Sequence, residues 1–225
     1  MIGSEREAQE WLRSQRWCDP EAFTRLTQLV EMLRAENERQ NLVSNASLAQ
    51  VWQRHVCDSA QLLRFVPRGT NSIFVNGHVP RETFNWLDLG SGAGFPGLVV
   101  ACLMPAIRVL LVEARKKRIE WLELATNRLQ LPHCVVRGER LESVPTVDCD
   151  VISARAFAPL PRLLDAAARF SKPETMWLLP KGRSAKTELG ELRGWDHKFH
   201  VEPSISDDQS GIIVGTLSGR RGGKR

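Results

Sequence analysis

The chain has 225 residues, of which 42% are hydrophobic and 25% are charged. These values are typical of a soluble globular protein with one well-buried α/β domain and a modest appendage. No apolar stretch approaches the length of a membrane span, and the amino terminus lacks the apolar core of a secretory signal. The five cysteines are scattered without a C-x-x-C pair, which argues against a disulfide framework and a zinc site. We therefore expect a cytoplasmic protein without a metal.

The net charge of +5 is concentrated near the carboxyl terminus, where residues 218–225 form a glycine-rich basic tail. Little net charge remains in the body of the chain, so a polyanion would have to be bound by local patches. Arg115-Lys116-Lys117-Arg118 is one such patch, at the start of a predicted helix. Its alternative interpretation is a solvated helix face.

Residues 1–66 have the pattern of a helical cap. Asp19 followed by Pro20 is typical of a helix start, and apolar residues follow at helical spacing. A second helix is predicted from about Leu48 to Phe65. Residues 67–83 contain glycine, proline and asparagine, and we interpret them as a linker or insertion.

His55 and Asp58 lie three residues apart in the second predicted helix. This spacing places them on one face, where they can contact each other and a common neighbour. They either line a cleft between the cap and the next domain or form a buried polar pair that joins the two.

Strand and helix patterns alternate over residues 84–217. Helices are predicted to begin near Phe95, Arg115 and Pro159, and the predicted strands lie near Trp86–Leu89, Val109–Glu113, Cys134–Arg137, Val151–Ala154, Met176–Leu179, Lys198–Val201 and Ile212–Leu217. This alternation predicts an α/β domain with a doubly wound, mostly parallel sheet. Ligands of such sheets bind at the carboxyl ends of the central strands.

A glycine-rich turn follows the first predicted strand. The run is D-x-G-x-G-x-G, formed by Asp88, Gly90, Gly92 and Gly94, with Glu113 at the tip of the next strand. Glycines let a ligand approach bare backbone, and an acid in the second position accepts hydrogen bonds from ribose hydroxyls. The sequence therefore predicts an adenosine-containing cofactor.

Two cofactors fit the glycine pattern. The glycines from Gly92 to Gly97 satisfy G-x-G-x-x-G, so a dinucleotide-dependent oxidoreductase using NAD(P) is an alternative. Asp88, two residues before Gly90, favours S-adenosylmethionine, because that order is typical of doubly wound methyltransferases using this cofactor.

Several segments resemble the RsmG (also called GidB) family, bacterial methyltransferases that act on N7 of a guanine in small-subunit 16S ribosomal RNA. The S-x-R-A-F-A and R-H-x-x-D-S runs are the most specific. The matching segments are Asn41–Ser44, Arg54–Ser59, Leu87–Gly97, Lys117–Arg118, Arg140–Glu142, Val151–Ala158 and Lys181–Gly182.

The resemblance implies a class I, Rossmann-like methyltransferase with a helical extension, and S-adenosylmethionine as its cofactor. The implied cofactor-binding residues are Asp88, Gly90, Gly92, Gly94, Phe95, Glu113, Leu141, Glu142 and Arg155. The implied partner is small-subunit rRNA, free or in the 30S particle, and we expect a monomer that contacts neither membrane nor metal. The sequence departs from the family at residues 67–83, which are longer than usual, and at Pro180, where an apolar residue usually precedes the lysine.

The chemistry of the implied acceptor limits what the site needs. Guanine N7 carries a free lone pair, so no general base is required and catalysis can rest on orientation. Candidates for positioning the substrate are His55, Asp58, Arg155 and Lys181, while candidates for RNA binding are Arg115, Lys116, Phe157, Lys181 and Arg183. Phe95, Phe157 and Trp52 are candidates for stacking on an exposed base. A methyltransferase with another acceptor remains an alternative.

Overall fold

We describe residues 1–66 and 84–222 from a computed structural model. The chain begins with three helices, α1 (Glu5–Arg13), α2 (Pro20–Gln40) and α3 (Asn45–Leu48). Asp19 caps α2 as predicted, since its carboxylate accepts a hydrogen bond from the Ala22 amide at 2.7 Å. The segment interpreted as a linker, 67–83, lies outside the described residues.

The second predicted helix differs from the expected single helix. It consists of a wide π-helical turn at Trp52–Cys57, the short helix α4 (Asp58–Ala60) and a 3₁₀ turn at Gln61–Phe65. The carboxylate of Glu5 accepts hydrogen bonds from the Trp52 and Gln53 amides at 3.1 and 2.8 Å, and so caps the wide turn. Spacing alone could not show this cap, because Glu5 belongs to another helix. Wide turns of this kind are frequent at functional sites.

The rest of the described chain is one eight-stranded sheet with helices on its faces. The strands are β1 (Asn85–Leu89), β2 (Arg108–Val112), β3 (Cys134–Arg137), β4 (Cys149–Ala154), β5 (Ser171–Gly182), β6 (Trp195–His197), β7 (His200–Pro203) and β8 (Gly211–Arg220). Their order is β3-β2-β1-β4-β5-β8-β6, with β7 also paired to β8. Strands β1 to β5 are parallel and β8 is antiparallel to β5, which confirms the predicted doubly wound, mostly parallel sheet.

Four helices connect the strands: α5 (Gly97–Leu103), α6 (Lys116–Arg128), α7 (Leu160–Ala167) and α8 (Ala185–Glu191). The cap shares one continuous apolar cluster with α5 and one face of the sheet, including Leu26, Leu33 and Leu98. Arg25 of α2 also donates a hydrogen bond to the carbonyl of Cys102 in α5 at 3.1 Å. The cap is therefore packed against the face that carries the glycine turn.

The last part of the chain differs from the prediction in three respects. The strand expected at 198–201 corresponds to β7, whereas β6 and α8 were not predicted. Strand β8 runs to Arg220, three residues beyond the predicted end of that strand at Leu217. Arg220 forms an ion pair with Asp165 and Arg221 with Asp196, so these charges are held on the fold.

Gly97 provides a test of how tightly α5 packs beneath the glycine turn. A Cβ at this residue would lie 2.2 Å from Leu111 Cδ2 and 2.8 Å from Asp88 Oδ2. We expect Gly97→Ala to lower the free energy of unfolding by about 1–3 kcal/mol through overpacking. Urea denaturation measures this change.

Gly190→Ala is the matched control, because Gly190 lies in α8 and its Cβ would meet nothing within 4 Å. There the higher helix propensity of alanine should raise stability by roughly 0.5–1 kcal/mol. Equal effects of the two substitutions would contradict the packing argument.

Candidate active site

The turn between β1 and α5 has the backbone conformation that its glycines predict. Gly90 and Gly94 have φ angles of +64° and +96°. A Cβ at Gly90 would lie 2.5 Å from the Phe157 ring, and one at Gly94 would lie 2.3 Å from Leu98. Both positions therefore require glycine for conformation and for space. The turn lies at the carboxyl end of β1, where a ligand of this sheet is expected.

Asp88 supports this turn from below. Its side chain is fully buried and accepts hydrogen bonds from the Gly97 amide at 3.2 Å and the Ser153 hydroxyl at 2.8 Å. Burial raises the pKa of Asp88 to about 6, against the lowering effect of these hydrogen bonds. The sequence suggested that Asp88 contacts the cofactor, but its carboxylate faces the interior and holds α5 against β1 and β4.

Glu113 supports the turn from the side of β2. One carboxylate oxygen, Oε2, accepts from the Gly92 amide at 2.9 Å, while Oε1 accepts from the amides of Ala114 and Arg115, both at 2.9 Å. Burial alone would raise the pKa of Glu113, but the hydrogen bonds and charge of Arg115 outweigh it and the net shift is downward. Glu113 is thus an ionised acceptor beside the glycine turn.

A cavity of about 350 Å³ opens next to Glu113. It brings together residues that the sequence predicted separately: Gly90, Glu113, Leu141 and Glu142, with Arg115 and Phe157 at its edge. Val112, Ala114, Glu139, Arg140 and Ala156 also line it. The cavity joins the tips of β1, β2 and β4 and the chain that follows β3, which is where the sequence predicts the adenosine part of a cofactor.

A second cavity, of about 210 Å³, lies between the cap and the ends of β5 and β8. It is smaller than the roughly 300–1,000 Å³ pockets that hold drug-sized ligands, so it suits a single ring system. Its lining includes the predicted residues His55, Asp58 and Arg155. It also includes residues that the sequence analysis did not name as site candidates, namely Ser47, Arg54, Pro180, Gly182, Ser204, Ser206, Asp207, Ser210, Gly211 and Ile212.

A partly buried polar cluster of His55, Asp58 and Arg155 forms one wall of this second cavity. Arg155, directly after β4, donates from Nη2 to His55 Nδ1 at 2.5 Å. Its Nη1 lies 3.6 Å from Asp58 Oδ2 and donates to the Arg54 carbonyl at 3.3 Å. Asp58 Oδ1 accepts from Gln61 and Ser206 at 2.9 Å each. The cluster joins the cap to the sheet and also lines the cavity, so both interpretations of His55 and Asp58 hold.

His55 connects this cluster to the glycine turn. Its ring stacks on Phe95, with centroids 4.9 Å apart and an interplanar angle of 19°. Burial lowers the pKa of His55 to about 3, and the positive charges of Arg155 and Arg54 add to this effect. His55 is therefore neutral at physiological pH.

Lys181 lies at the tip of β5, where its charge is paired within the protein. Its ammonium group donates to the Ala158 carbonyl at 2.7 Å and pairs with Glu188 at 2.9 Å, and only 7% of its side chain is exposed. Glu188 also accepts from the Leu160 amide at 2.9 Å. Through its bond to Ala158, Lys181 fixes the loop after β4. The tip of β5 is covered by α8, which was not predicted, and Lys181 also lines a cavity of about 500 Å³. That Lys181 contacts a phosphate stays a prediction.

The three aromatic candidates have different environments. Trp52 is buried within the cap and stacks on Phe23 at 5.3 Å, and Phe95 is only 4% exposed. Phe157 is 36% exposed and lies between the 350 Å³ cavity and a third cavity of about 500 Å³ near Pro159 and Lys181. Phe157 is thus the aromatic side chain available to a base.

The remaining predicted RNA contacts are on the surface. Arg115 and Lys116 have side chains that are 69% and 91% exposed, and Arg183 is also exposed. Within residues 1–66 and 84–222, no group of histidine, cysteine and acidic residues could hold a metal ion. No helix in those same ranges is long and apolar enough to cross a membrane.

Proteins similar in sequence to this chain carry one common description. The family model described as rRNA small subunit methyltransferase G (GidB) matches residues 22–197. A ribosomal RNA small subunit methyltransferase G of Erythrobacter litoralis is 52% identical over 216 residues, covering 96% of this chain and 97% of the relative. A protein of the same name from Zymomonas mobilis is 42% identical over 211 residues, covering 93% and 92%.

Two solved structures share the fold. A mutant of MtNAS in complex with S-adenosylmethionine aligns with a TM-score of 0.55 at 13% identity, over 95% of this chain and 84% of that one. A SAM-dependent methyltransferase from Aquifex aeolicus aligns with a TM-score of 0.50 at 14% identity, over 71% and 97%. The predicted class I, Rossmann-like fold is confirmed.

The environment of His55 predicts its titration. The pKa of His55 is about 3 in the folded protein, against an ordinary value of 6.5. Between pH 3 and pH 6.5 the folded protein therefore binds fewer protons than the unfolded chain. His55 thus contributes stability above pH 6.5 that is lost as the pH falls towards 3. NMR of the His55 ring should show no titration between pH 5 and 8 in the folded protein, and a midpoint near 6.5 in urea. A midpoint near 6.5 in the folded state would contradict the buried contact with Arg155.

Proposed function

The chain belongs to the rRNA small subunit methyltransferase G (GidB) family, and from that premise we propose that it transfers the methyl group of S-adenosylmethionine to N7 of one guanine in small-subunit 16S rRNA. The observation that carries this proposal is a row of three cavities along the strand tips. The cavity of about 500 Å³ shares Ala156 and Phe157 with the cavity beside Glu113, and it shares Arg155 with the cavity of about 210 Å³ that His55 also lines. Membership in a methyltransferase family decides against the oxidoreductase alternative.

The residues that line the 350 Å³ cavity beside Glu113 fit the cofactor. Glu113 Oε1 already accepts two amide hydrogen bonds, whereas Oε2 accepts only one from Gly92. A carboxylate oxygen can accept about two hydrogen bonds, so Oε2 retains a site for a ribose hydroxyl. Leu141, which is buried, provides an apolar surface for the adenine. When bound, S-adenosylmethionine supplies an electrophilic methyl group on a positively charged sulfur.

The cavity of about 210 Å³ suits an acceptor that needs no general base. His55 Nδ1 is occupied by Arg155, and Asp58 is engaged by Arg155, Gln61, Ser204 and Ser206. Neither side chain has a position from which it could readily remove a proton. A ring nitrogen with a free lone pair meets this condition, whereas a hydroxyl acceptor does not. Orientation in the cavity then accounts for catalysis.

The surface around the cavities supports an RNA substrate. Phe157 offers a partly exposed ring on which an unstacked base can pack, as is common in recognition of single-stranded RNA. Arg54, Arg115, Lys116 and Arg183 present positive charge to phosphates. The proposal extends to the assembled 30S particle as a substrate, to a monomeric enzyme, and to the cytoplasm as its location.

The first test is transfer of labelled methyl from S-adenosylmethionine to bacterial small-subunit rRNA, naked and in the 30S particle. We expect label in one guanine, shown to be N7-methylguanine by borohydride and aniline cleavage. Cofactor binding without transfer to either substrate would overturn the proposed acceptor. A lack of cofactor binding would overturn the proposed reaction.

A second prediction concerns the cofactor. Glu113→Ala should weaken binding of S-adenosylmethionine by about 1.5–3 kcal/mol, the range for hydrogen bonds to a charged group, or roughly 10- to 150-fold in Kd. Calorimetry measures the loss, and thermal unfolding checks that the variant is folded. Glu123→Ala, on the exposed side of α6, is the control and should bind as the wild type does. Equal affinity of the two variants would remove Glu113 from the ribose site.

A further inference from the structure

The Nε2 atom of His55 is a buried polar atom whose hydrogen-bonding capacity is not used within the protein. The side chain is only 5% exposed, and Nε2 has no hydrogen-bond partner among the described residues. His55 also lines the 210 Å³ cavity. Leaving a buried polar atom unpaired is unfavourable, so such an atom in a cavity wall points to a ligand.

The contact with Arg155 determines which nitrogen carries the proton. A guanidinium group can only donate, so His55 Nδ1, which receives Nη2 of Arg155, must be an acceptor. A neutral imidazole has one N–H, which must then be on Nε2. Burial and the neighbouring charges of Arg155 and Arg54 keep the ring neutral, with a pKa of about 3. His55, which lines the cavity, therefore carries one neutral donor that is buried and has no partner among the described residues.

We propose that His55 Nε2–H donates a hydrogen bond to O6 of the target guanine and thereby selects guanine against adenine. This inference rests on the proposed function, because it concerns the base whose N7 is methylated. Guanine presents N7 and O6 as adjacent acceptors on one edge, whereas adenine presents N7 beside an amino donor. A purine that attacks through N7 presents its 6-substituent on the same edge as N7. A fixed N–H donor at that edge can bond to O6 of guanine, but it faces the amino donor of adenine.

The neutral state of His55 also suits the reaction. In the transfer, the lone pair of N7 forms a bond to the methyl carbon, and the electrons of the carbon–sulfur bond go to the sulfur. The positive charge passes from the sulfur to the purine, and no proton has to move. A protonated histidine at O6 would oppose that charge, whereas a neutral N–H does not. Arg155 lies behind the ring and is paired with Asp58, which offsets its charge.

The test is a double-mutant cycle between the protein and the RNA. The target guanosine, located by the cleavage assay, is replaced by 2-aminopurine, which lacks O6 and keeps N7, or by inosine, which keeps both. Wild-type enzyme should methylate guanosine and inosine at similar rates and 2-aminopurine about 10- to 100-fold more slowly. His55→Phe keeps a ring against Phe95 but has no donor. For this variant the ratio of the methylation rates of guanosine and 2-aminopurine should be near one, after correction for the intrinsic reactivity of N7 in the two bases.

Controls separate the two proposals. His200→Phe alters an exposed histidine on β7 and should retain the wild-type preference. His55→Gln, which carries an amide donor, serves as the second variant and should restore part of the preference. Should neither variant fold, the wild-type ratio alone decides: equal rates with guanosine and 2-aminopurine overturn the role of His55 while leaving the proposed function intact. Absence of methylation on any guanosine overturns both.

Discussion

The interaction on which the rest of the site depends is the contact of the Arg155 guanidinium with the cap. Arg155 follows β4 in the middle of the sheet, but its partners, the Arg54 carbonyl, His55 and Asp58, all belong to the cap. The Arg155 side chain is only 23% exposed, so losing a partner would leave its charge with little access to water, which is unfavourable. The cap therefore cannot move away from the loop after β4 without leaving the Arg155 guanidinium exposed or without a partner. The next residues, Ala156 with a φ of +55° and Phe157 over Gly90, depend on the same anchor.

Three buried or partly buried acids hold the remaining loops by a common means. Asp88 accepts from the Gly97 amide, Glu113 from the Gly92 and Arg115 amides, and Glu188 from the Leu160 amide. Each carboxylate therefore fixes backbone at a strand tip, where the chain leaves regular structure and its amides lack partners. Glycine makes the turn possible, but the acids determine which conformation it keeps. Asp88 and Lys181, both expected to contact ligands, act in this supporting layer.

The sequence predicted the parts of the fold that depend on local pattern. Alternating apolar runs located β1 to β5 and their parallel order, and the D-x-G-x-G-x-G run located the turn, because both follow from backbone geometry. The contacts that the sequence did not predict involve distant residues. Glu5 caps the wide turn in the second predicted helix, Glu188 from an unpredicted helix pairs with Lys181, and Ser153 donates a hydrogen bond to Asp88. No spacing within a single segment carries that information. Motif resemblance located His55 and Asp58, yet only the fold shows that Arg155 fixes the tautomer of His55.

A methyl acceptor with its own lone pair changes what the buried polar groups of an active site have to do. A hydroxyl acceptor would demand a base with a free lone pair and a pKa near neutrality, whereas here the basic nitrogen of His55 is tied to Arg155 and the pKa of the ring lies near 3. The same contact that removes His55 as a base leaves its other nitrogen, Nε2, as an N–H donor without a partner among the described residues. Arg155 thus converts a histidine from a proton acceptor into a fixed neutral donor. The contacts of Arg155 that join the cap to the sheet therefore also determine which base is recognised. A substitution that breaks these contacts affects both the stability of the fold and the choice of substrate.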